Sequence, residues 1–306
     1  ARVLELKSNA NLPSFKSFFQ KQNFVAQYHD VKELNEISTE NKQTTLDVFL
    51  ELENDLLAKK VGYRSELANK EEAKKLADSL EKPKYIIVFS AHYLTKDLKI
   101  ISPEANKSMY DFYGFEDELY KVKYEINSDE KLTLDLIEKL KKENINISID
   151  ENRKSYDHGV WNVLALMYEH LEIPVLQISI PTSYNINQLI ELGEKLQQFK
   201  DEALIICSGG ITHNLGDMSI NPNVRNYAKE FNDDMIDIVE NAKEEELKNI
   251  QKNINFYKNH PSIEHFLPMF IAFGNAINKK GESFNSEMLY SNISMESFIF
   301  DKKLTC

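Results

Sequence analysis

Three runs of β-favouring residues stand apart from everything else in this sequence: YIIVFS at 85–90, PVLQISI at 174–180 and ALIICS at 203–208. They are nearly continuously apolar rather than alternating, which is the pattern of a strand buried on both faces. Helical spacing fills the gaps, in KLTLDLIEKLKKENI (131–145) and in the segment from Tyr156 to Glu172 between the first two runs, and in INQLIELGEKLQQFKD (186–201) between the last two. Strands separated by helices in this way predict βαβ units, hence an α/β fold with a mostly parallel or mixed central sheet and helices on both faces.

The flanks of this pattern are helical. From residue 14 to about 82 the chain is rich in Lys, Glu, Leu and Asn, with helical spacing in TTLDVFLELENDLLAKK and SELANKEEAKKLADSLE. A long helix is expected after Pro222, through 224–253, and another from near Pro261 through 264–277, where Pro268 either kinks it or occupies its first turn. Neither repeats nor linkers interrupt the chain. The expectation is one catalytic-type domain over 1–306 that carries a divergent helical region at about 14–82.

Charge narrows the function classes. With 49 acidic and 37 basic side chains the net charge is -12, and the lysines are interspersed with glutamates, so the chain is expected to bind neither nucleic acid nor a membrane. Its two cysteines, Cys207 and Cys306, supply neither a disulfide framework nor a zinc–thiolate site. No apolar run approaches the roughly 18 residues of a membrane span, and the expected location is cytoplasmic.

Chemistry enters through the histidines, seven in all. His92 follows the first apolar run, and His213 follows the third, in SGGITHNL, where Gly209 and Gly210 allow a sharp turn. Both are therefore expected at the same sheet edge. His158 stands at the opening of a helix with Asp157 as its N-cap, and His265 falls in the first turn of the helix that Pro261 announces. Imidazoles meeting at one sheet edge suit a divalent ion such as Zn, Fe, Cu or Ni, or proton transfer near neutrality. Their spacing matches no compact metal motif, so position alone leaves both readings open beside the plain one of hydrogen-bonded surface or core residues.

The segments FSAHY, MYDFYGFEDELYKVKY, YDHGVW, IPVLQISI, SGGITHNL, KEFNDDM and HPSIEHFLPMFIAFGNA, in this order, resemble the successive blocks of the class III extradiol ring-cleavage dioxygenases. Within that superfamily they are most similar to the DOPA 4,5-dioxygenase-type branch, over roughly residues 83–300. The resemblance implies one mononuclear Fe(II) or Zn(II) site and cleavage of a catechol-like small molecule by dioxygen. Carried over block by block, it implies metal ligands at His92 and His265. It implies a proton-handling role, or a further ligand role, at His213, and substrate contact at His158. Tyr110, Phe112, Tyr113, Phe115 and Tyr120 would either wall an aromatic substrate or pack in the core, and Trp161 is expected to pack.

One departure accompanies these matches. The family's opening strand ends in His-Gly-Ser-Pro or His-Gly-Gly-Pro, whose histidine completes the metal triad, and RVLELKSNANLP has no such residue; His29 is the first histidine in the chain. Three explanations follow: recruitment of His29, a centre held by the remaining histidines and water, or a descendant that kept the scaffold as a binding or regulatory protein. A zinc-assisted hydrolase would need Glu264 as general base beside His265, and adjacent helical residues point about 100° apart.

Overall fold

The computed structural model describes residues 70–112, 119–219, 223–284 and 286–301. In chain order it contains α1 (Lys70–Ser79), β1 (Tyr85–Thr95), β2 (Lys99–Ile101), β3 (Lys107–Ser108), α2 (Glu130–Lys142), β4 (Ser148–Asp150), β5 (Ser155–Tyr156), α3 (His158–Met167) and β6 (Val175–Pro181). There follow α4 (Ile186–Leu196), β7 (Ala203–Ser208), α5 (Asn226–Glu240), α6 (Glu244–Lys248), α7 (Phe256–Asn259) and α8 (Leu267–Asn275). The short strands β8 (Gly281–Phe284), β9 (Met288–Leu289), β10 (Ile293–Ser294) and β11 (Ser297–Phe300) close the chain. Helix α1 is the end of the helical region expected at about 14–82; the rest of that region, with His29, lies outside the described residues.

The three apolar runs lie side by side as β6, β1 and β7 in a five-stranded sheet of order β4-β2-β6-β1-β7, with β7 at its edge. Strand β1 pairs in parallel with β6 and β7, whereas β2 meets β6 antiparallel, so the sheet is mixed. Every residue of β6 is buried, as its mostly apolar pattern leads one to expect. Helices cover both faces. On one, α3 packs beneath α1, with Val163, Leu166 and Met167 against Ala73, Ala77, Leu204 and Ile206. On the other, α4 and α8 lie side by side. Among the described residues, no helix is long and apolar enough to cross a membrane.

Local signals start the helices where the sequence places them. The Asp129 carboxylate accepts from the Leu132 amide at the head of α2, whose buried stripe is Thr133, Leu136, Ile137 and Leu140. Asn185 and Gln188 form a capping box on α4. The long helix expected through 224–253 is broken instead. Ala242 takes a left-handed φ of 54°, and the Lys243 amide donates back to the Ile238 carbonyl, closing α5 with a Schellman-type turn that neither Gly nor Pro advertises. The last long helix starts at Leu267, not near Pro261: Pro268 lacks an amide proton, fits only the first turn, and so sets the start.

Helices α4 and α8 touch backbone to backbone. A Cβ on Gly193 would lie 2.2 Å from the Ile271 carbonyl oxygen, and one on Gly274 would lie 2.1 Å from that of Ile190. Both contacts are to rigid main chain, so Gly274→Ala is expected to cost about 1–3 kcal/mol or more through overpacking. Urea unfolding should show the drop, and a variant as stable as the parent would contradict this packing.

Candidate active site

The site begins with an irregularity in β1. Phe89 stands opposite Ile178 of β6 and Leu94 opposite Ile180, so β1 advances five residues while β6 advances two. The surplus leaves the ladder as a bulge, a device that re-aims side chains at a sheet edge. His92 rides on it. The apolar run was expected to end at Ser90; the strand continues to Thr95 because the bulge lets it pair with β6 again.

Two other imidazoles meet His92, and a third stacks on one of them. Its Nε2 lies 3.3 Å from Nε2 of His265, with the rings nearly perpendicular at 79°. The His158 ring is 4.1 Å from the His92 ring, centroid to centroid. His213 stacks on His265 at 3.5 Å with only 7° between the planes. The residues singled out in the sequence, drawn from four separate segments, thus form one cluster.

Each arrives by a different route. His158 opens α3. The segment carrying His213 is tied down by its amide to the Asn259 carbonyl at 2.9 Å. His265 sits in the turns before α8, and the Gly210 amide donates to its carbonyl at 2.8 Å. Gly209 is required there for space, since a Cβ would fall 2.3 Å from the His265 carbonyl oxygen. Close approach, rather than the sharp turn read from the sequence, is what that glycine provides.

Two carboxylates frame the imidazoles. Asp111 accepts from Nδ1 of His158 at 2.9 Å, and its other oxygen lies 3.8 Å from Nδ1 of His92. Burial pushes the Asp111 carboxyl up, but the hydrogen bond and charge of His158, with the charge of His92, outweigh it and hold the group down at about 2. Glu264 lies 3.6 Å from Nδ1 of His265 and is held at about 2 by that contact, against burial, and by the Ser262 hydroxyl. The expectation that Glu264 and His265 would diverge fails because residues 262–266 are turns rather than helix, so the 100° rule does not govern them.

The donor set suits a divalent ion. One donor atom each from His92, Asp111 and His158 lies within 4.8 Å of the others, and the same holds for His213, Glu264 and His265. Two nitrogens about 2.0–2.1 Å from one tetrahedral ion are separated by about 3.3 Å, which is the spacing of the facing Nε2 atoms of His92 and His265. Nε2 of His158 and Nε2 of His213 are buried with no hydrogen-bond partner in the described structure, which favours a ligand, a water or a substrate group there.

The remaining histidines divide plainly. Nε2 of buried His260 donates to the Ile211 carbonyl at 2.8 Å, a structural bond, and His170 is exposed. Of the aromatic residues, Phe112 is buried edge-on to the His158 ring at 5.5 Å. Tyr110 packs on Trp161, which is fully buried and donates to the Met109 carbonyl. Tyr120 packs on Phe112, while Tyr113 and Phe115 lie outside the described residues.

Sequence reading passed over two elements of the site. One is Asp111, whose signal was an acid alone among aromatics in MYDFYGF. The other is a buried polar cluster: the Asp157 carboxylate accepts from Ser90 Oγ at 2.6 Å, from Arg153 at 2.7 Å and from the Gln177 amide. Asp157 occupies the N-cap position of α3 as expected, yet its side chain makes no cap bond. Gln177, a polar residue inside the mostly apolar β6, was the trace of that cluster.

Residues 59–300 match the sequence model of the family described as the catalytic LigB subunit of aromatic ring-opening dioxygenase. The chain is 32% identical over 215 residues to a 4,5-DOPA dioxygenase extradiol of Beta vulgaris, covering 69% of this chain and 79% of the relative. It is 30% identical over 210 residues to a protein of the same name from Escherichia coli, covering 65% and 75%. A 4,5-DOPA dioxygenase extradiol-like protein of Schizosaccharomyces pombe is 32% identical over 202 residues, 63% of this chain and 68% of that one. The fold resembles the crystal structure of an uncharacterized protein from Escherichia coli K12, with a TM-score of 0.63 at 23% identity, over 75% of this chain and 91% of the other. From the match across 59–300, the chain belongs to the family of the catalytic LigB subunit of aromatic ring-opening dioxygenase.

Proposed function

We propose that this protein is a metal-dependent extradiol dioxygenase that opens the ring of a catechol-like small molecule with dioxygen. The observation that carries the proposal is the convergence of four imidazoles, two of which face each other through Nε2 at 3.3 Å. His92 and His265 would hold the ion, Fe(II) or Zn(II). A bound ferrous ion would supply adjacent open positions for catecholate and dioxygen and a path for electron density between them.

The chain's own residues divide the remaining work. An imidazole lone pair lies in its ring plane, and two nearly parallel planes 3.5 Å apart cannot both contain one ion. His213 and His265 would therefore not hold one ion together, and His213 would take the catechol proton on Nε2. His158 faces the substrate and would share a hydrogen bond with one of its hydroxyl groups. Phe112 offers an apolar edge to the ring and helps to keep water out. The retained cluster favours this reading over a descendant that only binds, because Nε2 of His158 and Nε2 of His213 are buried without a hydrogen-bond partner among the described residues, which serves no packing purpose.

Anaerobic loading with ferrous iron, followed by oxygen uptake with DOPA, caffeate or protocatechuate, tests the reaction. A yellow ring-fission product with uptake is expected from at least one of them. His92→Ala and His265→Ala should each lower affinity for iron or zinc by about 10- to 100-fold or more, since changes outside the ligand set already cost that much. Failure to bind either metal at stoichiometric level would overturn the proposal.

A further inference from the structure

Helix α3 opens in an unusual way. The first amides of a helix need acceptors from outside it, and the N-cap residue normally supplies one. Asp157 does not, because Ser90, Arg153 and Gln177 occupy its carboxylate. The acceptor comes instead from a loop 47 residues away: Oδ1 of Asp111 lies 3.0 Å from the His158 amide nitrogen and 2.9 Å from its ring Nδ1.

One oxygen thus caps the helix and grips the imidazole. A carboxylate at hydrogen-bond length from Nδ1 requires the proton on that nitrogen. The alternative tautomer would put N–H on Nε2, which is buried and has no acceptor among the described residues, and an unsatisfied buried donor is costly. Nε2 is then left with its lone pair.

From this geometry we infer that Asp111 is a positioning residue that locks His158 in the Nδ1–H form, so that its Nε2 acts as an acceptor for a protonated hydroxyl of the substrate. The ligand class that follows is a phenol or catechol presenting an O–H, not an anion that needs a donor at this position. The carboxylate also lies 3.8 Å from Nδ1 of His92, so one acid addresses a substrate-facing ring and a ring placed to hold the ion. The substrate role of His158 rests on the dioxygenase reading above; its tautomer does not.

Long-range proton–nitrogen correlation spectra of the metal-free protein, with ¹⁵N-labelled histidine at mildly alkaline pH, read the tautomer directly. His158→Gln identifies the signal. The wild-type ring should carry its proton on Nδ1, Asp111→Asn should retain that form through the amide oxygen, and Asp111→Ala should move the proton toward Nε2. In the iron-loaded enzyme, Asp111→Ala should lower kcat by about 10- to 100-fold. A wild-type His158 protonated on Nε2 overturns the inference, even if Asp111→Ala fails to fold. An Asp111→Ala protein whose tautomer and kcat both match the parent does so as well. Absence of ring cleavage with every catechol, beside an Nδ1–H signal, would strike the dioxygenase reading and leave the tautomer assignment standing.

Discussion

His213→Ala is expected to slow ring cleavage by about 10²- to 10⁴-fold, the usual contribution of a positioned acid or base, while iron or zinc binds nearly as tightly as before. The two halves of this result come from separate facts. His213 stacks flat on His265, so its in-plane nitrogens are offset from any ion in the plane of that ring. Its Nε2 is nevertheless buried and unpartnered, a poor arrangement for a packing residue and a suitable one for a group that takes a proton. Isothermal titration with zinc and single-turnover oxygen consumption with a catechol separate the two effects. Were His213 a ligand, affinity would fall with the rate; were it structural, the rate would survive. His213→Gln keeps much of the stacking area and should share the rate defect without any loss of stability.

How far this site could be read from the sequence differs from residue to residue, for physical reasons. Strand β6 was legible because burial along its whole length leaves a mostly apolar run, β7 because Leu204, Ile205 and Ile206 favour a strand although they are only half-buried at the sheet edge, and α4 because Asn185 and Gln188 write a capping box into the chain. His92 and His213 were found as strand followers. The bulge that delivers His92 was invisible, since it arises from a mismatch between β1 and β6 and neither strand encodes it alone. The same holds for Asp111: its two bonds to His158 cross 47 residues, and only folding brings the partners together. The break at Ala242 hid for another reason, namely that an alanine took the left-handed conformation usually given to glycine.

Asp157→Ala is expected to destabilise the protein by about 3–5 kcal/mol, because it leaves the Arg153 guanidinium charged and without its carboxylate in a largely buried position. Asp157 is fully buried, and it is the acceptor on which Ser90, Arg153 and Gln177 converge. The guanidinium also lies over the Tyr93 ring at 4.6 Å, a contact that survives the substitution but does not replace the lost anion. The consequence extends beyond stability. Ser90 is the last residue of β1 paired with β7 before the bulge, and its hydroxyl both donates to Asp157 and accepts from the His92 amide at 3.2 Å. Asp157 therefore ties the bulge bearing His92 to the start of the helix bearing His158. Metal affinity should fall along with the unfolding free energy in Asp157→Ala, and less so in Asp157→Asn, which keeps an acceptor for Ser90. Removing the guanidinium together with the carboxylate, in Arg153→Met with Asp157→Ala, should restore much of the lost stability, since the penalty lies in the unpaired charge. Denaturant unfolding of the four proteins in the cycle measures the coupling, and additive losses would show that the pair does not act as a unit.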